Sequence, residues 1–225
     1  MNIEPIGCFS SPLPEKFGVP RQPGLAKSLK GEVRLSAPFA REEALKGLEE
    51  FSHLWIIFGF HLNGRSPEEK KSLTVRPPRL GGNERVGVFA SRSPFRPNPL
   101  GLSAVKIESV DAQNGIITVS GADLADGTPI YDIKPYVTYS DSIPDAVSGF
   151  VDKTSWQPLK VVFPEGRQPG LSEQELGQLS EILSLDPRPH YQNDPERIYG
   201  LTFAGRNIHF RVEGDTVYVQ AISQL

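Results

Sequence analysis

Five arginines, Arg76, Arg79, Arg85, Arg92 and Arg96, stand within residues 76–103 (RPPRLGGNERVGVFASRSPFRPNPLGLS) against a single acid, Glu84. The same stretch holds five prolines, Pro77, Pro78, Pro94, Pro97 and Pro99, and four glycines. Proline fixes φ and removes a backbone donor, so the chain between the short apolar runs is stiff and non-helical. A stiff loop rich in arginine presents guanidinium forks at fixed positions, and those match carboxylates and phosphates. Composition alone equally fits a solvated basic loop.

Charge is unevenly spread. From residue 65 to 96 there are eight Lys/Arg and three Asp/Glu, whereas residues 151–225 carry seven basic and ten acidic side chains; the whole chain is at −3. A focused basic patch on an acidic background steers an anionic partner even when bulk charge does not. Other chemistries find no footing. The four histidines (His53, His61, His190, His209) and the lone Cys8 lack metal-ligand spacing, so no metal is expected. There is no Gly-x-Ser-x-Gly elbow, no phosphate loop and no Gly-x-Gly-x-x-Gly fingerprint. One cysteine allows no internal disulfide and fits a reducing cytoplasm. The apolar run 54–60 is too short to cross a bilayer, and the start MNIEPIG lacks the pattern of a secretion signal.

The elements that must position these residues are short. Strands are expected at 2–10 (core candidates Ile3, Ile6 and Phe9), 31–35, 54–60 (apolar on both faces), 73–75, 86–89, 101–110, 116–120 and 130–137. Asn114-Gly115 reads as a hairpin turn, 81–83 as another, and 63–72 as a polar loop. A short amphipathic helix is expected at 41–48. Turn signals about every ten residues point to a mainly β fold, a barrel or sandwich, with no Rossmann crossover. Residues 140–158 are turn-rich and mark a boundary, giving domains 1–150 and 151–225. The second begins with a strand at 159–163. A helix follows at 172–185, with Ser172 and Glu175 as capping box and Leu171 stapled to Leu176. Its stripe is Leu176, Leu179, Ile182 and Leu183. Strands at 199–204, 208–212 and 216–222 complete a small α+β unit. That size is marginal alone, so packing on the barrel or a partner subunit is expected. From residues alone the reading stops at a β-barrel with a rigid basic loop and an acidic turn at 123–129.

The segments PRQPGL (20–25), FSHLWIIFGFH (51–61), the arginine stretch 76–103, DLADGTPIYDIKPY (123–136) and LDPRPHY (185–191), in this order and spacing, resemble the TsaA-like, TrmO-type methyltransferases. The resemblance implies a single β-barrel, a homodimer, and S-adenosylmethionine as methyl donor. The substrate it implies is threonylcarbamoyl-adenosine next to the anticodon of threonine tRNA, methylated on its exocyclic nitrogen. The implied cofactor residues are Pro20, Arg21, Gln22, His61, Leu62, Arg92, Leu102, Leu124, Ala125, Asp126, Gly127 and Thr128.

The chemistry of these side chains suits that cofactor. Either Arg21 or Arg92 can grip its carboxylate, and Asp126 its amine or a ribose hydroxyl. A urea-type nitrogen is a poor nucleophile, so a base or proton path should help. Asp132 and Tyr136 are the candidates, although Asp132 could simply pair with Lys134 and Tyr136 pack in the core. Phosphate contacts are assigned to Arg65, Lys70, Lys71, Arg76, Arg79 and Arg85, and the substrate's threonyl carboxylate to Arg96. Arg188 and the aromatic Tyr191 could hold the anticodon arm. Two other functions share these features: a non-catalytic RNA-binding barrel, and a small-molecule methyltransferase.

Overall fold

The structure, a computed structural model, describes residues 2–64, 73–77, 84–153, 156–166, 170–189, 192 and 194–225. Six antiparallel strands close a barrel in the order β1 (Gly7–Ser10), β2 (Lys30–Leu35), β7 (Ile116–Ser120), β6 (Leu100–Asp111), β3 (His53–Gly59) and β8 (Pro129–Pro135). Closure is possible because each strand alternates. On β3, Leu54, Ile56 and Phe58 are sealed inside while Trp55 and Ile57 are half-exposed on the outer wall. The run 54–60 is therefore not buried on both faces: its outward apolar residues pair with β6 and β8 neighbours. Phe9, Val33, Val105, Ile117 and Ile130 complete the barrel core. Ile3, a core candidate, is instead 48% exposed, because strand pairing begins only at Gly7.

Between β3 and β6 lie a two-stranded ribbon, β4 (Thr74–Val75) with β5 (Val86–Gly87), and a 3-10 turn at Val88–Ala90. The turn expected at 81–83 and residues 65–72 lie outside the described residues. The expected helix at 41–48 is a single turn, α1 (Glu42–Leu45), with Leu45 buried. Gly47 ends it at φ 85°, a left-handed conformation that a glycine adopts without penalty. The Asn114-Gly115 hairpin joins β6 to β7, with Gly115 at φ 67° and Asp111 accepting from the Asn114 backbone and side chain. A further helical turn, α2 (Thr138–Asp141), follows β8.

The C-terminal unit comprises β9 (Lys160–Val162), α3 (Glu173–Ser184), β10 (Tyr199–Phe203), β11 (Arg206–Glu213) and β12 (Thr216–Gln224). The capping box is present in full: Glu175 N donates to Ser172 Oγ (3.2 Å), and Ser172 N donates to Glu175 Oε2 (2.7 Å). The last three strands form the expected meander, and β9 adds a fourth by pairing parallel with β12. That pairing joins strands remote in sequence, which alternation alone cannot signal.

A second core fills the space between α3 and this sheet. It includes Leu179, Ile182, Leu201, Phe203, Phe210 and Val217, and also Leu13, Ala26 and Leu29 from the connection between β1 and β2. Phe17 and Val19 pack against it, Phe17 stacking on Tyr199 and Phe210. The small unit thus gains apolar surface from the N-terminal part of the chain. Leu13 is fully buried there, so Leu13→Ala should cost about 2–5 kcal/mol of unfolding free energy. Urea titration should show one transition shifted to lower urea; an unchanged midpoint would mean that the second core stands without the β1–β2 connection.

Candidate active site

Four connections meet at the end of the barrel where β3 finishes and β6 and β8 begin. The first is the β1–β2 excursion, carrying Pro20, Arg21 and Gln22. The second is the end of β3, carrying His61 and Leu62. The third is the loop before β6, carrying Arg92, with Leu102 on the strand itself. The fourth is the turn 124–128 between β7 and β8.

Backbone bonds join the first connection to the fourth and the second to the third. Gly24 N donates to Gly121 O (2.8 Å) and Asp126 N to Leu13 O (2.8 Å). Phe60 N donates to Pro99 O, and Gly127 N to Phe9 O. The turn itself requires glycine at 127, where φ is 71°. Within it Thr128 Oγ1 donates to Ala125 O (2.7 Å) and lies 3.5 Å from His61 Nδ1. Asp126 is exposed and accepts from Ser11 N at 2.9 Å. Leu124 and Ala125 are buried, so the turn offers a ligand their backbone rather than their side chains.

Polar groups at the rim are mutually oriented. Arg92 Nη1 donates to Gln22 Oε1 (2.7 Å), which ties the loop before β6 to the β1–β2 excursion. Arg21 Nη2 donates to the backbone carbonyls of Asp186 (3.2 Å) and Arg188 (3.0 Å). Of the two arginines read as carboxylate grips, one is thus engaged with the C-terminal unit and the other with its neighbouring glutamine. Leu62 and Leu102 are large apolar side chains left exposed at the same end, Leu102 at 56%.

Two residues here were not read from the sequence. Ser103 Oγ donates to Asp123 Oδ1 at 2.5 Å, bridging β6 to the start of the turn 124–128. Burial pushes the Asp123 carboxyl up to about 6, against the Ser103 hydrogen bond and the attraction of the Arg92 charge, which both pull it down. The sequence places Asp123 at the head of the acidic turn 123–129, but nothing in it signals the burial or the Ser103 contact.

The catalytic candidates are separated. Asp132 sits across β3 from Leu102, since both pair with Ile57, about 10 Å apart on the outer wall. Its Oδ2 is 2.8 Å from Lys134 Nζ, the pairing weighed from sequence. Tyr136 lies at the opposite end of β3, its N–H bonded to His53 O and its ring 5.6 Å from Trp55. One chain therefore does not bring Asp132 and Tyr136 together.

The arginines also differ. Arg76 is exposed beside β4, and Arg85 Nη1 donates to Thr74 Oγ1 (3.0 Å) on the same ribbon. Arg96 Nη1 is bonded to Ser91 O (2.9 Å) and braces its own loop. Arg188 is buried and forks onto Asp186, its Nε 2.8 Å from Oδ1 and its Nη2 2.9 Å from Oδ2. Arg65, Lys70, Lys71, Arg79, His190 and Tyr191 lie outside the described residues. A groove of about 280 Å³ is lined by Phe17 of the β1–β2 excursion and by Pro189, Gln192, Arg197, Ile198, Tyr199 and Gly200, and holds none of the residues implied for the cofactor. Among the described residues no group of three His, Cys, Asp or Glu could hold a metal, and no helix is long and apolar enough to cross a membrane.

Comparison with known proteins agrees with this architecture. The family model of the tRNA-methyltransferase O N-terminal domain matches residues 8–142, and that of the TrmO C-terminal domain matches 157–225. A tRNA (adenine(37)-N6)-methyltransferase of Escherichia coli K12 is 44% identical over 220 residues, covering 93% of this chain and 92% of that one. A putative S-adenosylmethionine-dependent methyltransferase, RcsF, of Pseudomonas aeruginosa is 42% identical over 219 residues, covering 93% and 91%. A crystal structure of TrmO from Pseudomonas aeruginosa superposes with a TM-score of 0.79 at 34% identity, covering all of this chain and 97% of that one. The closed antiparallel barrel with its helix-and-sheet unit, shared with that TrmO structure, and the similarity to these relatives make the chain an S-adenosylmethionine-dependent methyltransferase of the barrel class. The chain belongs to the tRNA-methyltransferase O family through both of its domains.

The raised Asp123 carboxyl makes a signed prediction. A folded pKa near 6, above the unfolded value of about 3.9, means that its stabilisation is present below the unfolded pKa. That stabilisation is lost as pH rises through 6. Asp123→Asn should therefore raise stability at pH 7–8 by up to about 3 kcal/mol and leave it nearly unchanged at pH 4. Thermal melts across that range give the check; equal gains at both ends would mean that charge burial is not the cause.

Proposed function

We propose that the chain transfers a methyl group from S-adenosylmethionine to the N6 nitrogen of threonylcarbamoyl-adenosine, next to the anticodon of threonine tRNA. We place it in the cytoplasm, acting as a homodimer. The observation that carries the reading is spatial. Of twelve residues scattered from Pro20 to Thr128 and implied by the resemblance, eleven are carried by four connections at one end of one barrel, and Leu102 by the start of β6 beside them.

The donor set suits S-adenosylmethionine. Arg92, oriented by Gln22, presents a guanidinium to a carboxylate. Asp126, exposed on a turn fixed by backbone and side-chain hydrogen bonds, faces an amine or a ribose hydroxyl. Leu62 and Leu102 supply uncovered apolar surface for a flat purine. When bound, the cofactor supplies an electrophilic methyl on a positive sulfonium. The protein's task is then to hold the nucleophile in line and to exclude competing geometries.

The accepting nitrogen shares its lone pair with a carbonyl, so proton removal assists it. Asp132 stands on the outer wall in register with Leu102 and is the candidate acceptor. Its pairing with Lys134 is solvent-exposed, so it costs little to exchange for a substrate contact. Tyr136, at the far end of β3, serves the same site only across a subunit boundary. Arg76 and Arg85 remain candidates for tRNA phosphates. Arg96 is the candidate for the threonyl carboxylate, with the donors it does not use on Ser91.

Purified protein incubated with S-adenosylmethionine and tRNA from cells lacking the activity should add one methyl to threonylcarbamoyl-adenosine, read by nucleoside mass spectrometry. Turnover without tRNA would favour a small-molecule substrate, and cofactor-independent tRNA binding without turnover an RNA-binding barrel. Asp132→Asn should lower kcat by about 10²-fold or more near neutral pH and flatten its pH profile. Full turnover at every pH would remove Asp132 as the base.

A further inference from the structure

The β1–β2 connection, residues 11–29, carries the cofactor residues 20–22 but is held from the C-terminal unit. Ala204 N donates to Pro12 O (2.9 Å) at its start. Gln178 Nε2 donates to Ser28 O (2.8 Å) and Ser28 N to Glu181 Oε2 (2.8 Å), so α3 holds its end. Leu13, Ala26 and Leu29 are buried in the second core. Its middle is fixed by Arg21, whose guanidinium meets the carbonyls of Asp186 and Arg188.

Those carbonyls are themselves placed by a built corner. Asp186 has φ 51°, a left-handed conformation in which a short polar side chain is tolerated but costly. Its carboxylate offsets that cost by accepting from Arg188 N, Nε and Nη2 (3.3, 2.8 and 2.9 Å). Arg188 is enclosed, its side chain only 10% exposed. A bidentate guanidinium–carboxylate pair of this kind fixes geometry more than it adds stability.

We propose that the Asp186–Arg188 corner is a positioning device for the cofactor site: it holds Arg21, and through Arg21 the loop 20–22, at the barrel end. Arg21 then acts as a strut rather than as the carboxylate grip, and Arg92 is left in that role. The C-terminal unit thereby sets cofactor affinity without touching the cofactor. This rests on the reading that residues 20–22 bind S-adenosylmethionine.

The test uses full-length protein and calorimetric titration with S-adenosylmethionine, with no turnover. Asp186→Asn (asparagine also tolerates the left-handed region), Arg188→Lys and Arg21→Ala should each weaken binding on the order of tenfold. Arg21→Ala combined with Asp186→Asn should lose no more than Arg21→Ala alone, because the corner acts through Arg21. Amide exchange without ligand should quicken at residues 18–24 in each variant while the barrel strands keep their protection, which separates loosening from unfolding. Unchanged affinity and unchanged exchange in Asp186→Asn and Arg188→Lys would overturn the proposal, as would multiplicative losses in the double variant. Absence of binding by the unsubstituted protein would instead overturn the reading of the cofactor site.

Discussion

The connection between β1 and β2 must satisfy two cores at once, and much of the molecule follows from that. Its ends are barrel strands paired with each other, while Leu13, Ala26 and Leu29 are buried under α3 and the C-terminal sheet. Burying three aliphatic side chains contributes several kcal/mol. For a unit of about seventy residues, that contribution is a large part of the margin between folded and unfolded. The same burial draws residues 20–22 over the barrel end, where Gln22 meets Arg92 and Gly24 meets Gly121. Fold stability and site geometry therefore depend on one stretch of chain.

Local order was legible in the sequence to the extent that it rests on local chemistry. The capping box at Ser172 and Glu175, the Asn114-Gly115 hairpin and the strand at 116–120 all depend on neighbouring residues, and the structure contains them. The parallel pairing of β9 with β12 and the enclosure of Leu13 in the second core depend on contacts between remote segments, which periodicity does not encode. Leu54–Phe60 shows the limit clearly. Its composition suits a strand covered on both sides, yet Trp55, Ile57 and Phe60 are only half-buried, because the outer wall of this barrel keeps apolar residues partly exposed.

The arginine stretch carries a similar lesson. Five guanidinium groups in a rigid loop look like one anion grip when read as composition. In the folded chain Arg92 orients on Gln22, Arg85 on Thr74 and Arg96 on Ser91. These three guanidinium groups are thus engaged in bracing the loops that carry them. Asp123 was illegible for the converse reason: its importance comes from burial against Ser103 and proximity to Arg92, and neither is a property of its sequence neighbours.

We propose that one barrel end, built by four connections, is the cofactor site. The most direct test is a crystal structure of this protein grown with S-adenosylmethionine. Electron density for the cofactor is expected against Gln22, His61, Leu62, Arg92, Leu102 and the turn 124–128, with its carboxylate on Arg92. Density in the groove beside Phe17, Arg197 and Tyr199 instead, with the barrel end filled by solvent, would contradict it.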